Sequence, residues 1–127
     1  MPGTCFFTMT TIWSIERIPM TLNKYIRSHW AVRKKEVTTW RLLLRSQHQA
    51  PELVEGKVKL VIKVFRSRRQ DPDNAVGSMK PLIDAINREG WLVDDDLAHL
   101  ELHVREFKSK RVDEHTEIEW ELLKEND

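Results

Sequence analysis

Between Arg68 and Asp96 the chain reads RRQDPDNAVGSMKPLIDAINREGWLVDDD, with Asp71 and Asp73 two residues apart near one end and Asp94, Asp95 and Asp96 in a row at the other. Carboxylates crowded in one place are costly unless something positive joins them. If a helix carries the two ends back toward each other, the guests that suit the resulting oxygen-rich site are a hard divalent cation and the phosphate it carries. Mg²⁺ is usually held by one or two carboxylates together with substrate oxygens. Such a site orients and deprotonates a water, screens a phosphate, and stabilises the charge developing in an in-line attack. In an extended segment residues two apart point to the same side, each adding a rise of about 3.3 Å, so Asp71 and Asp73 are expected to aim at a common point. A third carboxylate from the triple aspartate completes the set. Lys80, on the intervening segment, is a point charge able to hold a phosphate oxygen or assist a leaving group.

Other uses of the same residues compete. An EF-hand loop also begins D-x-D, but Ala75, Val76 and Leu82 stand at its fifth, sixth and twelfth positions, where calcium needs a ligand, a glycine and a glutamate. Zinc is not expected from the five histidines and the single cysteine. The plainest alternative is purely structural, with Asp73 capping a helix and Asp94, Asp95 and Asp96 forming a turn.

The elements that must position these groups are legible from periodicity. From Thr10 to Ile18 the apolar residues Ile12, Trp13, Ile15 and Ile18 alternate imperfectly with polar ones and Pro19 ends the run, which reads as a strand. A turn-like connector follows, whose Asn23, Lys24, Tyr25, Arg27 and His29 are the types a surface touching sugar and phosphate uses; the alternative is a solvated loop with Tyr25 covering the core edge. Ser28 is expected to cap a helix running to about Gln49, with Ala31, Val32, Val37, Trp40, Leu43 and Leu44 at helical spacing and Arg33, Lys34, Arg41 and Arg45 off that stripe.

After a connector, APELVEG, the run KVKLVIKVF alternates Val58, Leu60, Ile62 and Val64 with Lys57, Lys59, Val61, Lys63 and Phe65, a strand with one buried face. Its end delivers RSRRQ and then DPDN, so the first carboxylates emerge where a strand stops. A second helix is expected within Asn74 to Glu89, with Val76, Met79, Ile83 and Ile86 inward. Pro81 leaves two options: Ser78 caps a helix beginning near Met79, or a longer helix bends at the proline. Asp84 and Arg88 stand at i, i+4 as a surface pair, and Gly90 suits the helix C-terminus. Two more alternating runs, with Leu100, Leu102 and Val104 and then Ile118, Trp120 and Leu122 inward, read as an antiparallel pair. The expected order is strand, helix, strand, helix, strand, strand. That is a single small α+β (mixed α/β) domain with a mixed sheet covered by two helices.

Composition sets the outer bounds. The 127 residues suit one domain, expected over 9–127 behind a flexible leader of residues 1–8 with Met9 as a possible start. Hydrophobic residues make up 40% and charged residues 32%, and no apolar run approaches the roughly 18 residues of a membrane helix. The N-terminus lacks the pattern of a secretory signal and Cys5 has no internal partner, so a cytoplasmic location is expected. The net charge of +1 hides a split: residues 1–70 carry 14 Lys and Arg against 4 Asp and Glu, residues 71–127 carry 7 against 16. A basic surface beside an acidic one fits phosphate backbones on one side and metal on the other. The other reading is two solvated faces that neutralise each other.

The succession DPDN, KPLIDAI and then G-x-x-x-DD from Gly90 to Asp95 resembles the signature of the RusA-like Holliday-junction resolvases, small homodimeric endonucleases of phages and prophages. The segment with Pro19, Asn23 and Tyr25 is also similar to that family's N-terminal part. The resemblance implies a crossover-junction endodeoxyribonuclease that hydrolyses phosphodiesters in four-way DNA with Mg²⁺, Mn²⁺ being the alternative ion. It implies Asp71, Asp73 and Asp95 as metal ligands, with Asp94 a rival to Asp95, Lys80 as the catalytic lysine, and Asn74 on the family's motif beside the second carboxylate. Asn74 and Lys80 stand about three residues farther apart than in the family, close to one helical turn of about 3.6. Phosphate contacts are expected from Arg27, Arg33, Lys34, Arg68 and Arg69. A two-fold dimer supplies the two symmetric nicks that a four-way junction needs. Readings from other classes are a branched-DNA-binding module without catalysis and a D-x-D metal-dependent transferase acting on a nucleotide sugar, which the short chain disfavours.

Overall fold

In the computed structural model, residues 10–47, 51, 56–92 and 99–123 are described; the expected leader and most of the APELVEG connector lie outside them. The elements run β1 (Thr10–Ile15), α1 (Leu22–Arg27), α2 (Trp30–Arg45), β2 (Lys57–Arg66), α3 (Pro72–Gly77), α4 (Lys80–Arg88), β3 (Leu100–Lys108) and β4 (His115–Leu123). The fold is α+β, one small domain on a four-stranded mixed sheet ordered β1-β4-β2-β3.

β2 is the axis of the molecule, and the alternation read from its sequence holds along its whole length: Val58, Leu60, Ile62 and Val64 are buried while the residues between them are half-buried. β4 runs antiparallel to β2 on one side, pairing Leu60 with Trp120 and Ile62 with Ile118. β3 runs parallel to it on the other, pairing Val58 with Leu100 and Ile62 with Val104. β1 closes the sheet beyond β4, with Trp13 opposite Ile118. Helices α2 and α4 pack against each other and add Trp40, Leu44, Leu82 and Ile86 to the sheet residues in a single core. No helix among the described residues is long and apolar enough to cross a membrane.

The first expected helix is present unbroken as α2 but is preceded by a short helix that was not expected, and the second is divided in two, for different local reasons. The connector before α2 contains α1, whose first turn is capped by the Thr21 hydroxyl accepting from the Lys24 N–H at 3.3 Å. Ser28 ends α1 instead of starting α2, its hydroxyl donating to the Lys24 carbonyl at 2.7 Å. His29 takes the N-cap of α2, with Nδ1 accepting from the Ala31 N–H at 3.1 Å. Because α2 begins there, Ala31 and Val32 of the expected stripe face solvent, and Val37, Trp40 and Leu44 carry its buried face.

The division of the second expected helix follows from Pro81. An unbroken helix would need a Pro81 N–H to bond the Gly77 carbonyl, and proline has none. The chain instead ends α3 at Gly77 and starts α4 at Lys80, which puts Pro81 in a first turn where the missing donor costs nothing. Ser78 does not cap the new helix: its hydroxyl donates back to the Ala75 carbonyl at 2.8 Å. Val76, expected inward, lies on the separate α3 and is half exposed.

Gly90 does end α4, in the left-handed region at φ 79°. Its N–H bonds the Asn87 carbonyl and the Trp91 N–H bonds the Ile86 carbonyl, the paired closure that satisfies a helix's last carbonyls.

The other correction concerns β3 and β4, which do not pair. β2 lies between them, and the connection passes over its end, where the Ser109 N–H bonds the Arg66 carbonyl and Glu114 accepts from both the N–H and hydroxyl of Ser67. Alternation tells which residues face inward, and those remain as read; it carries no information about which strand lies alongside.

Candidate metal and nucleic-acid site

The end of β2 is held by charged residues that continue its inward parity. Arg66 follows Val64 on the buried side, and Glu106 follows Val104 on β3. Their side chains are about 5% and 4% exposed and joined Nε to Oε2 at 3.1 Å. Arg66 also donates to the Pro19 carbonyl at 2.8 Å. Gln70 completes the frame. Its backbone N–H and Nε2 both donate to Glu106, at 2.6 and 2.9 Å, its Nε2 reaches the Ser78 hydroxyl at 3.1 Å, and its Oε1 accepts from the Leu22 N–H at 2.9 Å. One buried carboxylate thereby ties together β2, β3, the start of α1 and the end of α3. A buried ion pair is tolerated when its remaining donors and acceptors are satisfied this way.

Asp71 follows Gln70 directly. It occupies the N-cap position of α3, with φ −60° and ψ 150°, yet its side chain makes no capping hydrogen bond. Asp73 sits in the first turn of the same helix. Both are exposed, and neither carboxylate has a hydrogen bond or ion pair among the described residues. The expected geometry is corrected here: Pro72 starts a helix at once, so the two residues do not share an extended segment. They share one helix end instead, held from behind by Gln70.

Two uncommitted carboxylates on a fixed backbone fit a hard cation that keeps waters or substrate oxygens in its other positions. No group of three or more His, Cys, Asp or Glu able to hold a metal occurs among the described residues. Asp94, Asp95 and Asp96 lie outside them. Of their described flanks, Leu92 is buried after α4, and the His99 carbonyl accepts from the Val58 N–H at the start of β2.

Lys80 opens α4 and is exposed, with its ammonium 3.8 Å from Asp84 Oδ2. It makes no ion pair with Asp71 or Asp73, and the bend at Ser78 and Met79 lies between them. Asp84 therefore pairs toward Lys80 and not toward Arg88. Asn74 is half-buried inside α3, where its carbonyl accepts from the Ser78 N–H.

The basic residues separate into two groups. Arg41 and Arg45 both bond Glu89, at 2.8 and 2.6 Å, and Arg45 foremost holds that carboxyl below its ordinary range; Arg17 is spent on the buried Glu36. Arg27, Lys34, Arg68 and Arg69 are exposed and make no ion pair among the described residues. Asn23 is exposed on α1, and Tyr25 lies under the Arg33 guanidinium at 5.9 Å. Between α3 and β3 an open cleft of about 610 Å³ is lined by Arg69, Asp71, Val76, Arg105 and Phe107 among others. Arg66, Gln70, Glu106 and Arg105 are absent from the residues singled out above. Arg66 and Glu106 had a readable signal, since charged side chains in phase with inward positions must find partners.

On the sheet face away from the helices, Phe65 stacks on Phe107 at 5.1 Å and on His115 at 4.3 Å. The Asp113 carbonyl, then the Glu117 carboxylate, raise the His115 pKa above its ordinary 6.5. The Ser67 N–H, then its hydroxyl, hold Glu114 below the usual carboxylate range against the opposing effect of burial.

In comparison with known proteins, no family profile matches the chain and no curated protein matches it significantly.

Proposed function

We propose that the protein is a Mg²⁺-dependent, structure-selective endodeoxyribonuclease that resolves four-way DNA junctions by paired phosphodiester hydrolysis. The observation that carries this reading is the pair Asp71 and Asp73, held in place by buried neighbours yet without a hydrogen-bond or ion-pair partner among the described residues. Aspartates that served only as helix caps would spend their oxygens on backbone N–H groups, and Asp71 at the N-cap does not. In this reading Asp71 and Asp73, joined by Asp95 or Asp94, hold the ion, whose contribution is to activate water and neutralise the scissile phosphate. Arg68 and Arg69 precede the carboxylates on the same loop and take the flanking phosphates, with Arg27, Arg33, Lys34, Asn23, Tyr25 and Asn74 extending the contact. Lys80 assists from α4 after releasing Asp84. The protein acts as a cytoplasmic homodimer, one site for each nick.

The test is a synthetic four-way junction incubated with the full chain, with and without Mg²⁺, beside Asp73→Asn. Symmetric nicks that need both the metal and Asp73 are expected. Tight junction binding with no cutting under Mg²⁺ or Mn²⁺ would instead identify a branched-DNA-binding module of the same fold.

A further inference from the structure

We infer that Trp30 is a base-stacking residue, a binding site for an unstacked nucleobase at the branch point; this rests on the branched-DNA reading and deepens it. The chain has five tryptophans. Trp13, Trp40, Trp91 and Trp120 are buried in the core at 5% exposure or less, while Trp30 is 64% exposed. It stands at the corner between α1 and α2, its ring centroid 5.3 Å from that of His29, and Ile26, four residues earlier on α1, is similarly open at 60%. The core gains nothing from an indole placed there. An exposed indole offers a flat, apolar face on which another planar ring can stack.

The surroundings select which partner. From Ile18 to Lys35 the chain carries Lys24, Arg27, Arg33, Lys34 and Lys35 and no acidic residue. The next carboxylate, Glu36, is buried and bonded to Arg17. The ring therefore stands in a stretch of chain whose charged side chains are all basic, which attracts a polyanion, and nucleic acid is the polyanion whose units also offer π-faces.

The corner is tied to the carboxylates. The N-terminus of α1 bonds Gln70 through the Leu22 N–H, and the Leu22 side chain fills the space beside Gly77, where an added Cβ would lie 3.0 Å from it. α1 then spans six residues, roughly 9 Å, which is about two to three base-pair rises of 3.4 Å. A base stacked on Trp30 thus sits a few nucleotides from a phosphate at Asp71 and Asp73. In an intact duplex the bases are stacked on each other; at a branch point or in a single strand they are available. Trp30 favours the second kind of DNA.

The test uses intrinsic tryptophan emission, because Trp30 is the one indole open to solvent. With Mg²⁺ withheld, the full chain is titrated with a four-way junction, a short single strand and the matched linear duplex, and binding is followed in parallel by anisotropy. Quenching by the junction and the single strand and much less by the duplex is expected. Trp30→Ala should abolish the quenching, weaken junction and single-strand binding about 10-fold, and leave duplex affinity within about twofold; Trp30→Phe should recover most of the loss. DNA bound with unchanged emission, or equal weakening for all three DNAs in Trp30→Ala, overturns the stacking assignment and leaves the DNA reading intact. Absence of binding to any DNA overturns both. A blue shift with phosphatidylserine vesicles but none with DNA assigns the corner to a lipid surface and overturns the proposal.

Discussion

At the end of β2, charged groups a few residues apart live under opposite conditions. Arg66, Glu106 and Gln70 are enclosed, and every polar atom of the Glu106 carboxylate and the Gln70 amide has a partner. Arg68, Arg69, Asp71 and Asp73 are open and have no side-chain partner among the described residues. In the enclosed set a charge is worth the structure it orders, since an unsatisfied one would cost several kcal/mol. In the open set stability is indifferent to the charges, so their placement is free to serve a ligand. The division also shows how a loop is made rigid without a core: Gln70 is bonded on both sides, and its neighbour Asp71 inherits a fixed backbone while its side chain makes no capping bond.

That division is broken or sharpened most strongly by Glu106→Ala, which strands a buried guanidinium and releases Gln70. A loss of about 3–5 kcal/mol is expected in denaturant unfolding; a loss below about 1 kcal/mol would mean that water already reaches the pair.

Gly90→Ala asks whether conformation alone matters at the other end of the carboxylate stretch. With φ at 79° and nothing within 4 Å of an added Cβ, the cost is backbone strain only, about 1–2 kcal/mol, with no repacking visible in the core signals of an NMR spectrum.

A smaller effect belongs to His115. Its folded-state pKa is raised, so the stability it contributes is fully present below its ordinary value of 6.5 and is lost as pH rises through the folded value. Unfolding free energies measured from about pH 6 to about pH 8 should show that decline, and His115→Phe, which keeps a ring against Phe65, should remove it.

The smallest change in stability is expected for Asp73→Asn, within about 0.5 kcal/mol of the parent, while cutting falls by more than the roughly 10–100-fold that a change behind a metal ligand costs. A large destabilisation here would place Asp73 with the enclosed set and remove the division.

Much of the scaffold was readable because it rests on parity and period. Val58, Leu60, Ile62 and Val64 had to share a face, and so did Val37, Trp40 and Leu44, whatever lay opposite them. Three features were not readable. α1 is six residues long, too short for a periodic signal, and is held by the Thr21 cap and the Gln70 bond. The break between α3 and α4 was one of two outcomes that Pro81 allowed, and burial of Met79, Leu82 and Ile86 against the sheet chose between them. The neighbours of β3 and β4 depend on a contact between strands far apart in sequence.

In the candidate site, the sequence singled out Asp71, Asp73, Arg68 and Arg69 as candidates but gave the aspartates the wrong local geometry, and it passed over Gln70 and Glu106, whose role exists only when Leu22, Ser78 and Arg66 surround them. Trp30 was equally invisible, because helical spacing does not tell an exposed indole at a corner from a buried one.

By itself, then, the sequence determined which strand residues turn inward, where strands stop, and which charged groups stand at those stops, because side-chain period and proline geometry act within a few residues. The tertiary structure alone decided that β2 separates β3 from β4, that Arg41 and Arg45 neutralise Glu89 while Arg68 and Arg69 remain exposed, and that the carboxylates of Asp71 and Asp73 meet no partner among the described residues. Those outcomes depend on which distant groups meet, and meeting is settled by the burial of the whole core at once.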